Sequence, residues 1–212
     1  MQGEANIGRW YAVKVFFNKV FQMEDILEAM GLETYLPVYK LQLKGQAHSA
    51  AARKLAATEP YHRQDPRYMQ IGPVIYERKP MVTSLIFVKA DKEQIKAVDA
   101  RLRQDAEFGK VLGFVYKTPD WKEFAAIPPS QMESFMLVTG SGENGLEFFA
   151  DDDITRFASG DKVRVKEGPL KGAEGYIKRI KKDRRLLVCI EGVIAVATSY
   201  IPPQMLEKVE NA

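Results

Sequence analysis

Side chains able to do covalent or metal chemistry are few and scattered in this 212-residue chain. The two histidines, His48 and His62, lack the short spacing to other ligands by which a metal is held. The single cysteine, Cys189, sits among Leu187, Val188 and Ile190, which marks a core thiol rather than a nucleophile. No Ser, His and Asp set reads as a catalytic triad. Gly140, Gly142 and Gly145 do not join a strand to a helix as a dinucleotide-binding loop must, and no Gly-x-x-x-x-Gly-Lys-Ser/Thr phosphate loop occurs. The expectation is a protein with no catalytic residues, no metal and no cofactor, hence not an enzyme. What remains is binding chemistry. Lys178, Arg179, Lys181, Lys182, Arg184 and Arg185 surround Asp183 at the tip of a predicted hairpin. Such a cluster either meets nucleic-acid phosphates, with strong salt dependence, or is a solvated tip whose charges discourage edge pairing. Tyr176 is the one aromatic nearby suited to stacking on a base.

Those cations belong to a local excess. From Phe157 onward there are 11 Lys/Arg against 7 Asp/Glu, whereas the rest of the chain has 20 against 21. An acidic cluster, Glu147 and Asp151 to Asp153, lies just upstream. The net charge of +3 is too small by itself to imply a nucleic-acid partner. Apolar content of 46% and charged content of 28% are those of an ordinary globular protein. No apolar run approaches the roughly 20 residues that span a bilayer. Met1 to Gly8 lacks a basic stretch leading into an apolar one, so no secretory signal is read. With one cysteine there is no internal disulfide. The expected setting is cytoplasmic, without a membrane, for a monomer.

The elements that must position these residues follow from periodicity. Trp10 to Phe17 reads as a strand rich in aromatic and β-branched residues. Asn18 is a candidate cap for a helix with Val20, Met23, Ile26, Leu27 and Met30 at helical spacing, stopped by Gly31. Thr34-Tyr35-Leu36 forms a second strand and Pro37 an edge or bend. Residues 44–80 read as a long insertion, with a short helix near Ala50–Ala57 and breaks at Pro60, Pro66, Pro73 and Pro80. Val82–Ala90 is the most strand-like run. Asp91 caps a helix with Ile95, Val98 and Leu102 on one face, Val111–Tyr116 is a strand, and Pro128-Pro129 opens a short helix carrying Met132, Phe135 and Met136. Strand, helix, strand, strand, helix, strand is the split βαβ order, an antiparallel sheet with helices on one face.

Beyond the glycine-rich stretch from Gly140 to Gly145 only short strands and turns are predicted, at 161–166, 174–181, 185–191, 193–198 and 205–209. Val163 and Val165 alternate with charged residues. Gly168-Pro169 and Gly172 supply the backbone freedom and fixed φ of a compact loop, and Gly175 is read as letting the chain bend inside a strongly curved small sheet. The fold class is therefore α+β, with a ferredoxin-like split βαβ domain followed by a small all-β SH3-like barrel. The predicted boundaries are 1–139 for the first domain, 140–155 for a linker and 156–212 for the barrel.

Two sets of residues carry a resemblance. Gly160 to Val165 with Glu167-Gly168-Pro169-Leu170-Lys171-Gly172 and Glu174 to Ile177 resembles the KOW motif. Arg9 to Val15, Tyr35-Leu36-Pro37 and Leu85-Ile86-Phe87-Val88 resemble the N-terminal (NGN) domain of NusG-like bacterial transcription factors. The resemblance covers nearly the whole chain apart from residues 44–80. It implies an elongation or antitermination factor. Such a factor binds the clamp of the largest RNA polymerase subunit through its N-terminal domain and suppresses pausing or termination. Carried over by position, the polymerase-binding candidates are Trp10, Tyr11, Tyr35, Leu36, Pro37, Met81, Val82, Thr83, Leu85 and Ile86. In the family the barrel reaches a small-subunit ribosomal protein or Rho through an Ile-Phe-Gly loop. Here that loop reads Ile190-Glu191-Gly192, and Met81-Val82-Thr83-Ser84 stands where many members have Phe-Pro-Gly-Tyr. Both departures point to a specialised paralogue, of the kind that acts on particular long operons, often for surface polysaccharides. The alternative reading is an RNA-binding or ribosome-associated module acting through the basic hairpin.

Overall fold

A computed structural model describes residues 8–56, 65–104, 112–150, 162–180 and 182–209. The described residues of the 44–80 stretch form regular elements rather than an irregular insertion. In chain order the elements of the first half are β1 (Arg9–Val15), α1 (Val20–Ala29), β2 (Glu33–Tyr35), β3 (Val38–Gln42), α2 (Gly45–Ala56), β4 (Tyr68–Ile71), β5 (Val74–Pro80), β6 (Leu85–Ala90), α3 (Lys92–Gln104), β7 (Gly113–Val115), β8 (Ala126–Ile127) and α4 (Pro129–Gly140). The second half is β9 (Glu147–Ala150), β10 (Lys162–Val165), β11 (Glu174–Ile180), β12 (Asp183–Ile190), β13 (Ile194–Tyr200), a 3-10 turn at Pro203–Met205 and β14 (Leu206–Lys208).

The central sheet has the order β2-β6-β1-β7, all antiparallel, with the short β8 also pairing β1. This is the split βαβ arrangement expected from the order of elements. Its strands alternate strictly, so each side chain's face is set by position. Tyr11, Val13 and Val15 of β1 and Ile86, Val88 and Ala90 of β6 point to one side. There they meet Met23 and Leu27 of α1 and Ile95, Val98 and Leu102 of α3. Asp91 caps α3 as expected. Its Oδ1 accepts the backbone N–H of Glu93 and of Gln94, each at 2.8 Å, while Gln94 Oε1 accepts the Asp91 N–H at 2.9 Å. Asn18 does not cap α1. It takes φ +56°, and Lys19 precedes the helix without a side-chain cap.

The other face of the sheet carries Ala12, Leu85 and Phe87, and on it lies α4. Met132, Phe135 and Val138 of α4 are completely buried, and Phe135 stacks obliquely on Phe87 with ring centres 5.2 Å apart. The same buried cluster continues without a break into Val163, Val165, Leu186, Val188, Ile190, Ile194 and Val196 of the C-terminal sheet. Helix α4 is therefore apolar on more than one side because it is covered on more than one side. The segment read as a linker at 140–155 is corrected accordingly. Its described residues hold the end of α4 and β9, which pairs antiparallel with β13 from Ile194↔Ala150 to Ala197↔Glu147. Leu146-Glu147-Phe148-Phe149 alternates apolar and polar too weakly to announce an edge strand, and its partner lies more than forty residues downstream.

The C-terminal strands form one antiparallel sheet, β14-β10-β11-β12-β13-β9. Five of its six strands fall where the sequence places them. Gly168 and Gly172 take φ of +85° and +94° in the β10–β11 loop, as the turn chemistry demands. Gly175 has a different reason: a Cβ there would collide with the carbonyl oxygen of Leu187 on β12.

In the 44–80 region, β3, β5 and β4 form a separate three-stranded sheet in that order, with α2 packed on one side through Ala51 and Ile75. It is tied to the central domain by Arg78. The Arg78 guanidinium donates both arms to Glu24 of α1, at 2.7 and 2.9 Å, donates to the Pro66 carbonyl at 2.8 Å, and stacks on Phe21 at 5.3 Å. Glu24 is only 5% exposed. Removing one member of a buried ion pair leaves the other charged and desolvated, at a cost of about 3–5 kcal/mol. Glu24→Gln is expected to lower stability by about that amount in urea denaturation. It is also expected to raise hydrogen exchange in β3–β5 before exchange rises in β1 and β6.

Candidate functional site

Strand alternation divides the polymerase-binding candidates between two environments. Trp10, Tyr35, Met81, Val82 and Leu85 lie on or against the cluster that contains α4 and the C-terminal sheet. Leu85 is buried, and the other four are half-buried and form the margin of that cluster. Tyr11, Leu36 and Ile86 belong instead to the core under α1 and α3, at 4%, 6% and 0% exposure. For these three a direct contact with a partner is corrected to a core role, because a one-residue step along a strand reverses the face. Pro37 is buried, and its carbonyl accepts the Met81 N–H at 2.9 Å, so it holds the start of the β5–β6 turn. Thr83 is exposed in that turn.

Tyr35 is the side chain that links sheet and helix. Its hydroxyl lies 2.6 Å from Thr139 Oγ1, which also lies 2.8 Å from the Phe135 carbonyl. The Tyr35 ring leans on Phe87 at 6.4 Å. Burial raises the Tyr35 phenol above its ordinary value, with the Thr139 hydrogen bond acting in the opposite sense. Trp10 carries the Lys89 ammonium 5.9 Å from its ring centre at the edge of the same face.

Polar clasps join α4 to the C-terminal sheet along its length. Gln131 Oε1 accepts the Glu191 N–H at 3.1 Å, and Ser134 Oγ accepts the Glu174 N–H at 3.0 Å. Past the end of the helix, the Glu143 carboxylate accepts the Ser199 N–H at 2.6 Å and also the Ser199 hydroxyl. Glu174 in addition holds Lys162 at 2.7 Å and Arg164 at 2.5 Å, which keep its carboxyl below the usual range. None of these clasps is readable from spacing. The one signal available in the sequence was the breadth of the apolar surface of α4, where Met132, Phe135, Met136 and Val138 exceed a single stripe.

The loop Ile190-Glu191-Gly192 faces α4 through its backbone. Ile190 is buried in the shared cluster, and the Glu191 side chain is exposed. At the basic hairpin, Lys178 lies opposite Arg185 and Arg179 opposite Arg184. Like charges so placed oppose pairing. Arg185 is not an open phosphate contact. Its guanidinium donates to Glu147 of β9 at 2.9 Å and is 13% exposed, so this cation is spent on holding the edge strand. Arg179, Lys182 and Arg184 are exposed, and Lys181 lies outside the described residues. His48 sits on α2 with Nε2 3.4 Å from the Pro73 carbonyl, while His62 lies outside the described residues. Among the described residues no group of three or more His, Cys, Asp or Glu is placed to hold a metal. No helix there is long and apolar enough to cross a membrane. Cys189 is 7% exposed, and burial, with Glu191 adding to it, pushes its thiol up to about 11.

Two measurements follow from these environments. The Tyr35 phenol holds its proton more tightly in the folded state than in the unfolded state. Its contribution is therefore complete below the ordinary value of 10.0 and is lost as pH rises through the raised one. Wild-type stability is expected to fall above about pH 10 more steeply than that of Tyr35→Phe, which itself loses about 1 kcal/mol near neutrality with the Thr139 hydrogen bond. Cys189 is expected to stay inert to an aromatic disulfide reagent at pH 8 and to react in full once urea unfolds the chain.

Residues 8–136 match the family model described as transcription termination factor NusG. A solved structure of Thermotoga maritima NusG, concerned with the interaction of its domains, is 15% identical, covers 96% of this chain and 98% of its own, and has a TM-score of 0.43. No curated protein matches the chain.

Proposed function

The chain belongs to the NusG family of transcription elongation and termination factors, and from that footing we propose that it binds RNA polymerase through the Trp10–Tyr35–Met81–Val82 margin and suppresses pausing or termination. The observation that carries this reading is the position of those four side chains. They border a single apolar face within the matched residues, half-buried rather than sealed. An apolar margin of this kind suits the flank of a partner helix, with aromatic and Met anchors dominating affinity. The partner proposed is the clamp of the largest polymerase subunit. The factor does no chemistry: holding the clamp closed shifts polymerase toward its pause-resistant state by differential affinity.

Helix α4 occupies the middle of the same face and carries the C-terminal sheet on its other side. A clamp helix that seats there competes with them, and the affinity observed is reduced by the fraction of molecules in which the face is open. The specialised-paralogue reading is part of this proposal. Glu191 offers an acidic, exposed side chain where an aromatic anchor would be needed, which disfavours contacts with a ribosomal protein or Rho. Action is then confined to particular long operons, such as those for surface polysaccharides, with the protein working as a cytoplasmic monomer.

The test is equilibrium binding of the full chain to core RNA polymerase, with a pausing assay in parallel. Met81→Glu with Val82→Glu is expected to weaken binding at least tenfold and abolish the effect on pausing. Glu143→Ala, which loosens the clasp to Ser199, is expected to tighten binding by roughly three- to tenfold, the equivalent of one ordinary hydrogen bond. Absence of binding by the wild type and by Glu143→Ala would overturn the proposal.

A further inference from the structure

We propose that the open face of the small β3-β5-β4 sheet is a binding surface for single-stranded RNA. Register defines the two faces. Tyr68 pairs with Glu77 and Gln70 with Ile75, so Ile75 and Tyr68 share the side on which Ala51 of α2 packs. The opposite side presents Lys40, Gln42, Met69, Ile71, Val74 and Tyr76. Helix α1 meets this side at its Arg78 and Val38 end, through Glu24 and Phe21, and among the described residues the end carrying Gln42, Ile71 and Tyr76 is the open one. Ile71 is 50% exposed, Lys40 and Gln42 are exposed, and Met69, Val74 and Tyr76 are half-buried. Arg78 shares this side but is committed to Glu24, so it anchors the sheet and leaves the face to its neighbours.

The charge of this region identifies the class of partner. Residues 38–80 hold eight Lys/Arg against three Asp/Glu, a surplus of five in a chain whose net charge is only +3, so everything outside them is net negative. A polyanion is therefore drawn to this segment and to the basic C-terminal one, and repelled by the rest of the chain, which has 12 Lys/Arg against 18 Asp/Glu. Lys40, Lys44 and Lys79 are exposed, and among the described residues no carboxylate pairs with them. An apolar partner surface would need no such surplus, and a duplex would hide the base faces that an aromatic platform engages.

The arrangement fits what a single strand offers. Tyr76 lies between Gln42 on β3 and Met69 on β5's other neighbour, β4, giving a flat ring flanked by polarizable and aliphatic groups on which a base can stack. Lys40, two residues along β3 from Gln42, and Lys44 beyond the strand end stand where successive phosphates would pass. Gln42, directly opposite Tyr76, brings an amide able both to donate to and to accept from a ribose 2′-hydroxyl, the group that distinguishes RNA from DNA. On the β11–β12 hairpin the candidate aromatic Tyr176 packs against the small core of Leu187 and Ala197, and Arg185 is already spent on Glu147. This surface is independent of the polymerase-binding margin, and its test needs no polymerase.

The experiment is fluorescence anisotropy of a labelled, unstructured 12-nucleotide RNA with the purified full chain, over a range of salt concentrations. Lys40→Glu with Lys44→Glu is expected to weaken binding at least tenfold. It should also flatten the plot of log affinity against log salt by about 1.4, from about 0.7 per phosphate contact on a single strand. Tyr76→Ser is expected to cost at least about fivefold, as one lost base stack, while Lys182→Glu with Arg184→Glu leaves affinity within twofold. Thermal unfolding accompanies each variant. Should Tyr76→Ser not fold, the exposed lysine pair carries the test. No RNA binding by the wild type at low salt would overturn the inference. So would loss of binding on the hairpin variant with retention on the lysine variant. Equal affinity for DNA of the same sequence would overturn the assignment to RNA.

Discussion

Helix α4 is covered on two sides and leaves a strip carrying Pro129, Glu133 and Gly140 to solvent, and the rest of the molecule is arranged around that constraint. Met132, Phe135 and Val138 are completely buried, with Phe87 of the central sheet stacked on Phe135 and the strands of the C-terminal sheet continuing the same cluster. A helix apolar on several sides must be covered on several sides, since each large side chain returned to water costs about 1.5–3 kcal/mol. The central sheet alone covers one side. The C-terminal sheet supplies the rest, and β9 extends that sheet through the very segment that leaves the helix.

Fold and activity meet at this helix. The face that α4 shares with Trp10, Tyr35, Met81 and Val82 is the one proposed above to receive the polymerase. Apolar contact across it is non-directional, so under that proposal a clamp helix competes with α4 and the sheet packed on it. The polar clasps are directional and few: Gln131 to Glu191, Ser134 to Glu174, Tyr35 to Thr139 and Glu143 to Ser199. They set the register of the closed arrangement, each contributing about 1 kcal/mol net, a scale on which a binding partner can compete.

Opposite the sheet from α4, a different device attaches the small β3-β5-β4 sheet. It has a modest core of its own, centred on Ala51 and Ile75, and borrows rigidity from α1 through the Glu24–Arg78 pair. A bidentate guanidinium–carboxylate contact with an extra carbonyl acceptor and an aromatic ring beneath fixes orientation where area is scarce. The open face of that sheet is thereby held at a constant attitude to the central domain.

Much of the architecture was legible in the residues. The aromatic and β-branched runs of β1 and β6, period-2 alternation in β10, the Asp91 cap, Gly31 at the end of α1, Pro128-Pro129 before α4 and the Gly168-Pro169 loop are local signals, each set by the backbone conformation its own residues allow. They sufficed for the split βαβ order, five of the six C-terminal strands and the family resemblance that the match over residues 8–136 bears out. What they left undecided depends on partners distant in sequence. Whether Tyr11 or Trp10 faces outward follows from which side of the sheet is covered. Glu24 at a buried helix position makes sense only with Arg78, and Arg185 ceases to be an open cation only because Glu147 arrives on β9. The stretch after Gly140 became helix end and edge strand rather than a free linker because β13 offered it an unpaired edge. Sequence by itself determined most of the elements outside β3–β5, β8 and β9, since these rest on short-range sterics and periodicity. Tertiary structure decided which faces are spent and which remain available, because burial and charge pairing are properties of two segments at once.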